Sequence, residues 1–251
     1  MVTFLDRYGP WALVAGASQG IGAAFARELS ARGLGVVLVA RHPALDLPGP
    51  KIEVAADLAT VAGVETVLAA TVGLEIGLLV ANAALSPIGP FATSDPAELG
   101  RAIDLNVRAP MLLARHFLPA MQERGHGGFV VMSSLAGAQG SPNLSLYAGT
   151  KAFGAVFAEG LWAELRPSGV DVIACVAGAV STPGLAASTA KPAPGTVTPQ
   201  AVVAAALGAL GRKPRVVPGG LMKASAAFLS RLPRRTAISI MGRASKDVLG
   251  S

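Results

Sequence analysis

The stretch SLYAGTKAF, residues 145–153, places Tyr147 four positions before Lys151. Tyr147 is one of only two tyrosines in the chain. Side chains four positions apart lie on the same face of a helix, so the lysine ammonium would stand beside the phenol. A free tyrosine has a pKa of about 10, and a neighbouring positive charge favours its ionised form. The pair therefore predicts a phenol that exchanges protons near neutral pH, as a general acid or base must.

A second candidate site is the glycine-rich segment VAGASQGIGAAFA, which follows a short apolar run and opens a helical stretch. Gly16 allows a tight turn, Gly20 lets backbone N–H groups approach a pyrophosphate, and Gly22 lets the helix pack close to the strand. The helix N-terminus also favours phosphate charge. The competing interpretation is a turn that binds no ligand. A nucleoside-triphosphate loop is excluded because no Lys-Ser or Lys-Thr pair follows the glycines.

The end of the second apolar run bears on which dinucleotide would bind. An NAD site usually has a carboxylate there to accept hydrogen bonds from the ribose 2′-hydroxyl. Here the run ends in LVARH, with Arg41 and no acid. A guanidinium suits a 2′-phosphate, so we predict NADP, with NADPH preferred over NADH. The alternative is that Arg41 is a solvated loop charge.

Short apolar runs alternate with amphipathic stretches along most of the chain. The predicted strands are 11–16, 35–40, 52–56, 77–83, 127–134 and 170–176, and the predicted helices fall near 21–33, 58–71, 96–124 and 146–166. Strands that are apolar throughout indicate a parallel sheet covered on both faces. The sequence therefore predicts an α/β fold, a Rossmann-type doubly wound parallel sheet flanked by helices on both faces.

In such a sheet ligands bind at the carboxyl ends of the strands. The polar clusters all fall at such ends, at positions 16–22, 41, 57, 82–86, 133–134 and 178–182. This coincidence carries more weight than any single motif.

The composition permits a large core, with 52% apolar and 14% charged residues. We predict one catalytic domain over residues 1–211, with a basic C-terminal helical extension, 212–251, packed on it. Residues 211–251 hold nine basic residues and one acidic residue, a net +8, against +6 for the whole chain. Because the basicity is confined to the tail and aromatic residues are scarce, nucleic acid is a poor candidate partner.

The remaining composition bears on the compartment and on metals. A single cysteine, Cys175, excludes an internal disulfide, fits a reducing compartment, and is expected to be a small buried apolar side chain. The opening MVTFLDRYGPW lacks a signal-peptide pattern and no apolar run is long enough for a bilayer, so we expect a cytoplasmic protein. His42, His116 and His126 lack metal-ligand spacing and are expected at the surface, with no metal site.

With these motifs in place, the chain resembles the short-chain dehydrogenase/reductase (SDR) family over roughly residues 10–211. GASQGIG looks like that family's cofactor turn, and ANAA (81–84) stands where the family has an Asn-Asn-Ala-Gly motif. AGAVSTP (177–183) resembles the stretch after the family's sixth strand. Ala81 and Ala84 depart from the third motif, since they replace its first Asn and its final Gly. Another departure is the linker of about ten residues between the second and third strands, which predicts a turn instead of the usual helix.

The resemblance also implies catalytic roles. Asn106 in DLNV matches the family's catalytic asparagine, and Ser134 lies thirteen residues before Tyr147, the usual spacing for the catalytic serine. Adjacent residues on a strand point to opposite faces, so only one of Ser133 and Ser134 can serve, and the spacing favours Ser134. The expected catalytic set is Asn106, Ser134, Tyr147 and Lys151. Ser134 would hold a carbonyl oxygen, Lys151 the nicotinamide ribose, and Asn106 a water that links Lys151 to solvent.

For the cofactor, the resemblance implies that Asp57 lies beside the adenine and that Thr182 holds the nicotinamide carboxamide. The full set expected to contact NADP is Gly16, Ser18, Gln19, Gly20, Ile21, Gly22, Arg41, Asp57, Leu58, Asn82, Ala83, Tyr147, Lys151, Gly178, Val180 and Thr182.

The expected substrate pocket is mostly apolar and contains no charged clamp for a carboxylate or phosphate. We expect it to be lined by Ala84, Leu85, Ser86, Leu135, Leu144, Val180 and the loop 183–190. This favours a hydrophobic ketone or secondary alcohol as substrate. The alternative function is a non-catalytic dinucleotide-binding sensor or scaffold, against which the set Ser134, Tyr147 and Lys151 argues because a pure binder needs no such serine. A lyase or epimerase on the same scaffold also stays open.

The tail segment KASAAFLSRLPRRTAISIMGR, residues 223–243, alternates apolar clusters with arginines. It could close the pocket, lie on an anionic membrane surface, or bind the phosphates of an acyl-CoA or a carrier-protein arm. A solvated basic helix at a subunit interface is an equally open alternative. The resemblance implies a homodimer or homotetramer built through the helices near 96–124 and 146–166.

Overall fold

The structure, a computed structural model, describes residues 2–188 and 194–249. Its strands are β1 Trp11–Ala15, β2 Gly35–Ala40, β3 Lys51–Ala55, β4 Ile76–Ala81, β5 Gly127–Ser134, β6 Val170–Ala177 and β7 Arg215–Val216. In the described part of the chain they form one parallel sheet in the order β3-β2-β1-β4-β5-β6-β7. The strand order reverses between β1 and β4, and the crevice outside their carboxyl ends is where such sheets bind ligands.

Helices cover both faces of the sheet. They are α1 Phe4–Tyr8, α2 Gly20–Ala31, α3 Val61–Ala70, α4 Pro96–Ile103, α5 Ala109–Arg124, α6 Ser145–Leu165, α7 Pro183–Ser188, α8 Pro199–Ala209, α9 Gly220–Leu229 and α10 Arg234–Leu249. Helices α2 and α8 contribute to the core on one face, and α3, α5 and α6 contribute to the core on the other. The predicted doubly wound α/β fold is confirmed.

Strand β1 shows why these strands are apolar throughout. Val14 belongs to the core cluster that contains Phe25 of α2, whereas its neighbour Leu13 belongs to the cluster that contains Leu113 of α5. Successive side chains of a strand point to opposite faces, so a strand covered on both sides needs apolar residues at every position.

The predicted helix near 96–124 is divided. Helices α4 and α5 are joined by the π-helical turn Asp104–Arg108, which contains Asn106. The sequence did not indicate this turn because its apolar spacing is that of a continuous helix. Between β2 and β3, residues 41–50 form no helix, as the short linker predicted.

A polar cluster ties α1 to β6 at the amino-terminal edge of the sheet. The Tyr8 hydroxyl and the Arg7 Nε both donate to Asp171 Oδ2, each at 2.6 Å. Burial is the largest of the causes that raise the pKa of Tyr8. The second tyrosine of the chain is therefore a structural hydrogen-bond donor, far from the carboxyl ends of the strands. Among the described residues, no helix is both long enough and apolar enough to cross a membrane.

Candidate active site

The glycine turn between β1 and α2 has the backbone geometry that the sequence predicted. Gly16 and Gly20 have φ of +78° and +58°, values that side chains other than glycine rarely adopt. A Cβ on Gly16 would lie 2.8 Å from the Ala83 Cα, and one on Gly22 would collide with the Gly16 carbonyl oxygen. The turn is therefore restricted to glycine both by conformation and by close contacts.

The same turn presents an uncapped helix end. Gln19 occupies the N-cap position of α2 without a side-chain hydrogen bond to the helix, and the first turn contains no acidic residue. Its backbone N–H groups thus point toward the crevice with no side chain of the helix capping them, an arrangement that favours an anion. This cradle fits the pyrophosphate of a dinucleotide.

A cleft of about 350 Å³ lies against this turn, within the usual range for small-molecule sites. The predicted cofactor residues in its wall are Gly16, Ser18, Gln19, Gly20, Ile21, Arg41, Asp57, Leu58, Asn82, Ala83 and Thr182. Ala40, Ala56, Ala84, Leu105 and Gly184 also line it. Sequence reasoning missed Leu105 as a cleft residue, although it directly precedes the predicted Asn106.

The other predicted cofactor residues lie outside the wall of this cleft. Gly22 packs beneath the turn, and Val180 is only 6% exposed because its bridge with Val197 turns it into the core. Gly178 is covered by α9, since a Cβ there would lie 2.8 Å from the Met222 Cγ. Tyr147 and Lys151 lie on α6, beyond the cleft wall.

Charged groups gather at the end of the cleft formed by β2 and β3. Arg101 of α4 donates to Asp57 Oδ2 at 2.9 Å, and the Ala59 N–H donates to Asp57 Oδ1 at 3.0 Å. Partial burial acts to raise the pKa of Asp57, but these hydrogen bonds and the charges of Arg101 and Arg41 outweigh it, and the pKa is lowered. Asp57 is therefore ionised and already paired, and Arg41 stands exposed in the same wall. Nothing in the sequence pointed to Arg101, which lies 44 residues from Asp57.

The predicted proton donor stands where β5 and α6 meet. Tyr147 lies in the first turn of α6, and Ser134 is the last residue of β5. Burial raises the pKa of the Tyr147 phenol, and hydrogen bonding with the Ser134 side chain partly offsets the rise. The neighbouring Ser133 points the other way, since its buried hydroxyl donates to the Lys151 carbonyl at 2.7 Å. The structure thus brings Ser134, and not Ser133, to the phenol, as its spacing of thirteen residues from Tyr147 predicted.

The expected lowering of the Tyr147 pKa by Lys151 is not what the structure shows. The Lys151 Nζ donates to the Met132 carbonyl at 2.9 Å and lies 5.7 Å from the centre of the Tyr147 ring. The ammonium is therefore directed at β5. The pKa of the phenol is instead set mainly by burial in low-polarity surroundings, which raises it. Burial also lowers the pKa of Lys151 itself, to about 8.

Asn106 is held in place by three hydrogen bonds. Its Oδ1 accepts from the Leu85 N–H at 2.8 Å, and its Nδ2 donates to the Leu85 carbonyl at 2.8 Å and to the Thr150 Oγ1 at 3.0 Å. Both amide hydrogens are thus used, which leaves only acceptor capacity for a water. Thr150, which sequence reasoning missed, lies on α6, so its hydrogen bond with Asn106 joins that helix to the π-helical turn; its Oγ1 also donates to the Tyr147 carbonyl at 2.9 Å.

A small cavity of about 20 Å³ lies beside Asn106, Thr150 and Lys151. That volume holds about one water molecule, and these three side chains supply polar partners for it. The arrangement fits the predicted link between Lys151 and Asn106 through water.

The expected substrate pocket is partly covered by the C-terminal helices. Met222 of α9 and Leu135 both pack against Gly178, because a Cβ on that glycine would lie 2.8 Å from the Met222 Cγ and 3.3 Å from the Leu135 Cδ1. Residues 183–188 of the predicted lining loop form α7, and residues 189 and 190 lie outside the described residues. Sequence reasoning did not identify Met222, because α9 reaches the site only through the tertiary fold.

The structure also bears on the predictions for cysteine and histidine. Cys175 is fully buried, and burial raises its pKa to about 12, as expected of a small apolar side chain. His42 and His116 are exposed, but His126 is only partly so and its Nδ1 is buried without a hydrogen-bond partner. His126, in the turn between α5 and β5, is thus a surface residue whose ring is only partly exposed. Among the described residues, no group of histidine, cysteine and carboxylate side chains could hold a metal.

Comparisons with known proteins agree with this geometry. Residues 10–193 match the short chain dehydrogenase family. The chain is 33% identical to the very-long-chain 3-oxoacyl-CoA reductase of Anas platyrhynchos, over 96% of this chain and 81% of that one. A solved structure of a 7beta-hydroxysteroid dehydrogenase superposes with a TM-score of 0.88 at 26% identity, covering 95% of this chain and 99% of the other. A short-chain dehydrogenase from Sphingobium yanoikuyae in complex with NADPH gives a TM-score of 0.74 at 28% identity, covering 90% and 96%.

The match spans most of the chain and includes both the glycine turn and the helix that carries Tyr147 and Lys151. The protein belongs to the short-chain dehydrogenase/reductase family and is a nicotinamide-dependent oxidoreductase.

Proposed function

We propose that the protein interconverts a bulky apolar ketone and its secondary alcohol, with Tyr147 as general acid or base and NADPH as the preferred cofactor. The observation that carries the proposal is the grouping of Tyr147, Ser134 and Lys151 at the carboxyl edge of the sheet, where Lys151 lines a cavity that also reaches Ala15, the residue before the glycine turn. The nicotinamide supplies or accepts the hydride, and the protein must supply the proton and hold the carbonyl.

Each of these side chains has a distinct task in the proposed reaction. The Ser134 hydroxyl donates to the carbonyl oxygen and fixes its position, and the Tyr147 phenol delivers the proton to that oxygen as the alcohol forms. Lys151, with a pKa near the physiological range, then returns a proton to the phenol. The water that fits beside Asn106 and Thr150 connects Lys151 to solvent.

The preference for NADPH is supported by the charges at the adenosine end of the cleft. Arg41 is exposed in the cleft wall, where a 2′-phosphate would meet a guanidinium. Asp57, the acid of that wall that would repel such a phosphate, is already paired with Arg101. The NADPH complex of the relative from Sphingobium yanoikuyae is consistent with this preference.

A bulky apolar substrate is supported by the surroundings of the candidate proton donor. Leu135 and Met222 contribute apolar surface beside Gly178, where the nearest described side-chain atoms are theirs. The relatives are named for a hydroxysteroid and for a very-long-chain 3-oxoacyl thioester, both of which carry their carbonyl on a large apolar body. The same chemical class is proposed for this chain.

The location and the partners of the chain are also proposals. A homodimer or homotetramer is supported by apolar side chains on the outer surfaces of the helical segments 96–124 and 146–166, where Ile103, Met111 and Val156 are 43%, 41% and 65% exposed. A cytoplasmic location is proposed because a single cysteine fits a reducing compartment. For the basic C-terminal segment we propose an anionic partner other than nucleic acid.

The test is a panel of apolar ketones and alcohols with NADPH and with NADH, followed by absorbance of the reduced nicotinamide. Tyr147→Phe is expected to lower kcat by about 100- to 10,000-fold, because it removes the proton donor and keeps the ring. Tyr8→Phe is the matched control, since it changes the other tyrosine at the opposite edge of the sheet. Normal turnover by Tyr147→Phe would refute the assignment. Tight NADPH binding by fluorescence, without turnover of any compound, would favour a binding module instead.

A further inference from the structure

Helices α9 and α10, with the turn that joins them, present a basic surface. Between Gly219 and Arg243 there are five basic residues and no acidic residue, namely Lys223, Arg231, Arg234, Arg235 and Arg243. All five are exposed. In the part of the chain that the structure describes, none of them forms an ion pair with a carboxylate.

The same two helices expose large apolar side chains. Leu221 and Phe228 of α9 are 56% and 60% exposed, and their spacing of seven positions puts them on one side of the helix. On α10, Ile238 and Ile240 are 36% and 38% exposed, whereas Ala237 is buried against the protein. We call these four apolar residues and the five basic residues the C-terminal face.

The C-terminal face borders the entrance to the candidate active site. The Arg234 Nη1 donates to the Ala138 carbonyl at 2.8 Å, and Gly242 packs on Pro142, since a Cβ there would lie 3.1 Å from the Pro142 Cγ. Ala138 and Pro142 belong to the chain segment that follows Ser134, the last residue of β5. The face is thus attached to the loop that leads from β5 to the helix carrying Tyr147.

The loop after β4 adds apolar surface beside the same segment. Ile88 and Phe91 are 47% and 63% exposed. The Gly89 N–H donates to the Asn143 carbonyl at 2.9 Å, which ties this loop to the segment that α10 contacts. Apolar side chains therefore surround the entrance from two directions.

We propose that the C-terminal face docks on an anionic phospholipid bilayer, so that the apolar substrate reaches Tyr147 directly from the membrane. The apolar residues would enter the boundary between headgroups and acyl chains, and the basic residues would contact the anionic headgroups. The delivery of substrate rests on the proposed function, whereas the docking does not.

Two other occupants fit the surface less well. A second copy in a two-fold interface would set the same five basic residues against each other, because such an interface uses one patch on both subunits. The phosphates of an acyl-CoA would need guanidinium groups that converge on one point, but the five basic side chains are all exposed and are distributed over two helices and the turn that joins them. Exposed apolar residues between dispersed cations favour a lipid surface.

The experiment is flotation of the full chain with phosphatidylcholine vesicles, with and without about 30% phosphatidylglycerol. Binding is expected only to the anionic vesicles and is expected to weaken at least tenfold in about 0.5 M salt. Lys223→Gln/Arg235→Gln should weaken it about 25-fold, because each basic residue near an anionic surface contributes about fivefold. The matched control is Arg27→Gln/Arg115→Gln, which removes two exposed arginines from α2 and α5 and should change binding less than twofold.

A second pair of variants tests the apolar part of the face. Phe228→Ser should weaken vesicle binding at least fivefold, whereas Val72→Ser, at a site that is 81% exposed near the amino-terminal edge of the sheet, should not. The proposal fails if anionic vesicles do not bind at low salt, or if the two charge variants lose binding equally. It also fails if Phe228→Ser dissociates an oligomer but leaves vesicle binding intact, which would assign the face to a second copy. If Lys223→Gln/Arg235→Gln raises the KM for an acyl-CoA and the wild type binds no vesicles, the proposal is overturned, and the face would be assigned to the phosphates of an acyl-CoA.

Turnover of a water-soluble ketone with NADPH, measured without vesicles, separates this proposal from the proposed function. Vesicle binding by a chain that turns over no ketone would contradict the proposed function alone. Turnover without vesicle binding would contradict the docking alone.

Discussion

Lys151 carries its charge in a buried position, and this makes a prediction about stability. The residue is 8% exposed, and the described hydrogen bond of its Nζ is the one to the Met132 carbonyl. Burial lowers its pKa from 10.5 to about 8. Because the unfolded chain keeps the ordinary value, the folded state binds fewer protons than the unfolded state between these two pKa values. The buried charge therefore lowers the free energy of unfolding by its full amount below pH 8. The free energy of unfolding then recovers as the pH rises toward 10.5.

The size of the effect follows from the shift. At 1.36 kcal/mol per pKa unit, the difference between 10.5 and about 8 corresponds to about 3 kcal/mol. Lys151→Met removes the charge and keeps the length of the side chain, but it loses the hydrogen bond to Met132, which is worth about 1 kcal/mol. We expect the variant to be more stable than the wild type by about 2 kcal/mol at pH 7, with an advantage that vanishes near pH 10. The same variant should lose turnover, since methionine has no proton to return to Tyr147.

The assay is urea unfolding of both proteins at about pH 7, 8.5 and 10. Lys213→Met, which removes an exposed lysine, serves as the control and should show no such pH-dependent difference from the wild type. If Lys151→Met is less stable at every pH, or if its advantage does not shrink as the pH rises, then Lys151 is better solvated than its burial indicates and the reasoning is wrong.

Three further predictions rest on other contacts. Arg41→Glu should lower kcat/KM for NADPH by about 100-fold and change that for NADH less than threefold, because a carboxylate would face the 2′-phosphate; steady-state kinetics with both cofactors measure this. Asp171→Ala should reduce the free energy of unfolding by about 3 kcal/mol, because the buried Tyr8 hydroxyl loses its acceptor. Chemical denaturation measures this change, and a loss below about 0.5 kcal/mol would contradict the prediction. Asn106→Ala should lower the free energy of unfolding by about 2 kcal/mol, because the Leu85 backbone groups lose their partner. It should also lower kcat, because the proposed water loses its partner; an unchanged kcat would exclude Asn106 from the proton path.

The fold could be predicted because its signals are local. Apolar runs such as GVVLVA and WALVAG are buried on both faces, and each agrees with its observed strand within a residue. The π-helical turn at Asn106 could not be predicted, because Asn106 is held there by contacts with Leu85 and Thr150, which lie 21 and 44 residues away in the chain.

The candidate site was predictable where neighbours in sequence are also neighbours in space. The glycine turn and the position of Ser134 opposite Tyr147 follow from spacing and strand geometry. The direction of the Tyr147 pKa shift does not follow from them, because it depends on which group the Lys151 ammonium contacts. That group is the Met132 carbonyl, which lies 19 residues earlier in the chain. Arg101 and Thr150 were missed for the same reason, since their partners Asp57 and Asn106 each lie 44 residues away.

The sequence by itself determined the alternation of strands and helices, the glycine turn and the spacing of the Tyr147 and Lys151 side chains. These features depend on residues a few positions apart, whose relative placement is set once the local backbone conformation is formed. Only the tertiary structure decided that Asp57 pairs with Arg101, that Met222 covers Gly178, and that a basic and apolar face borders the entrance. Those contacts join segments far apart in the chain, and their geometry is set by how helices pack on the sheet.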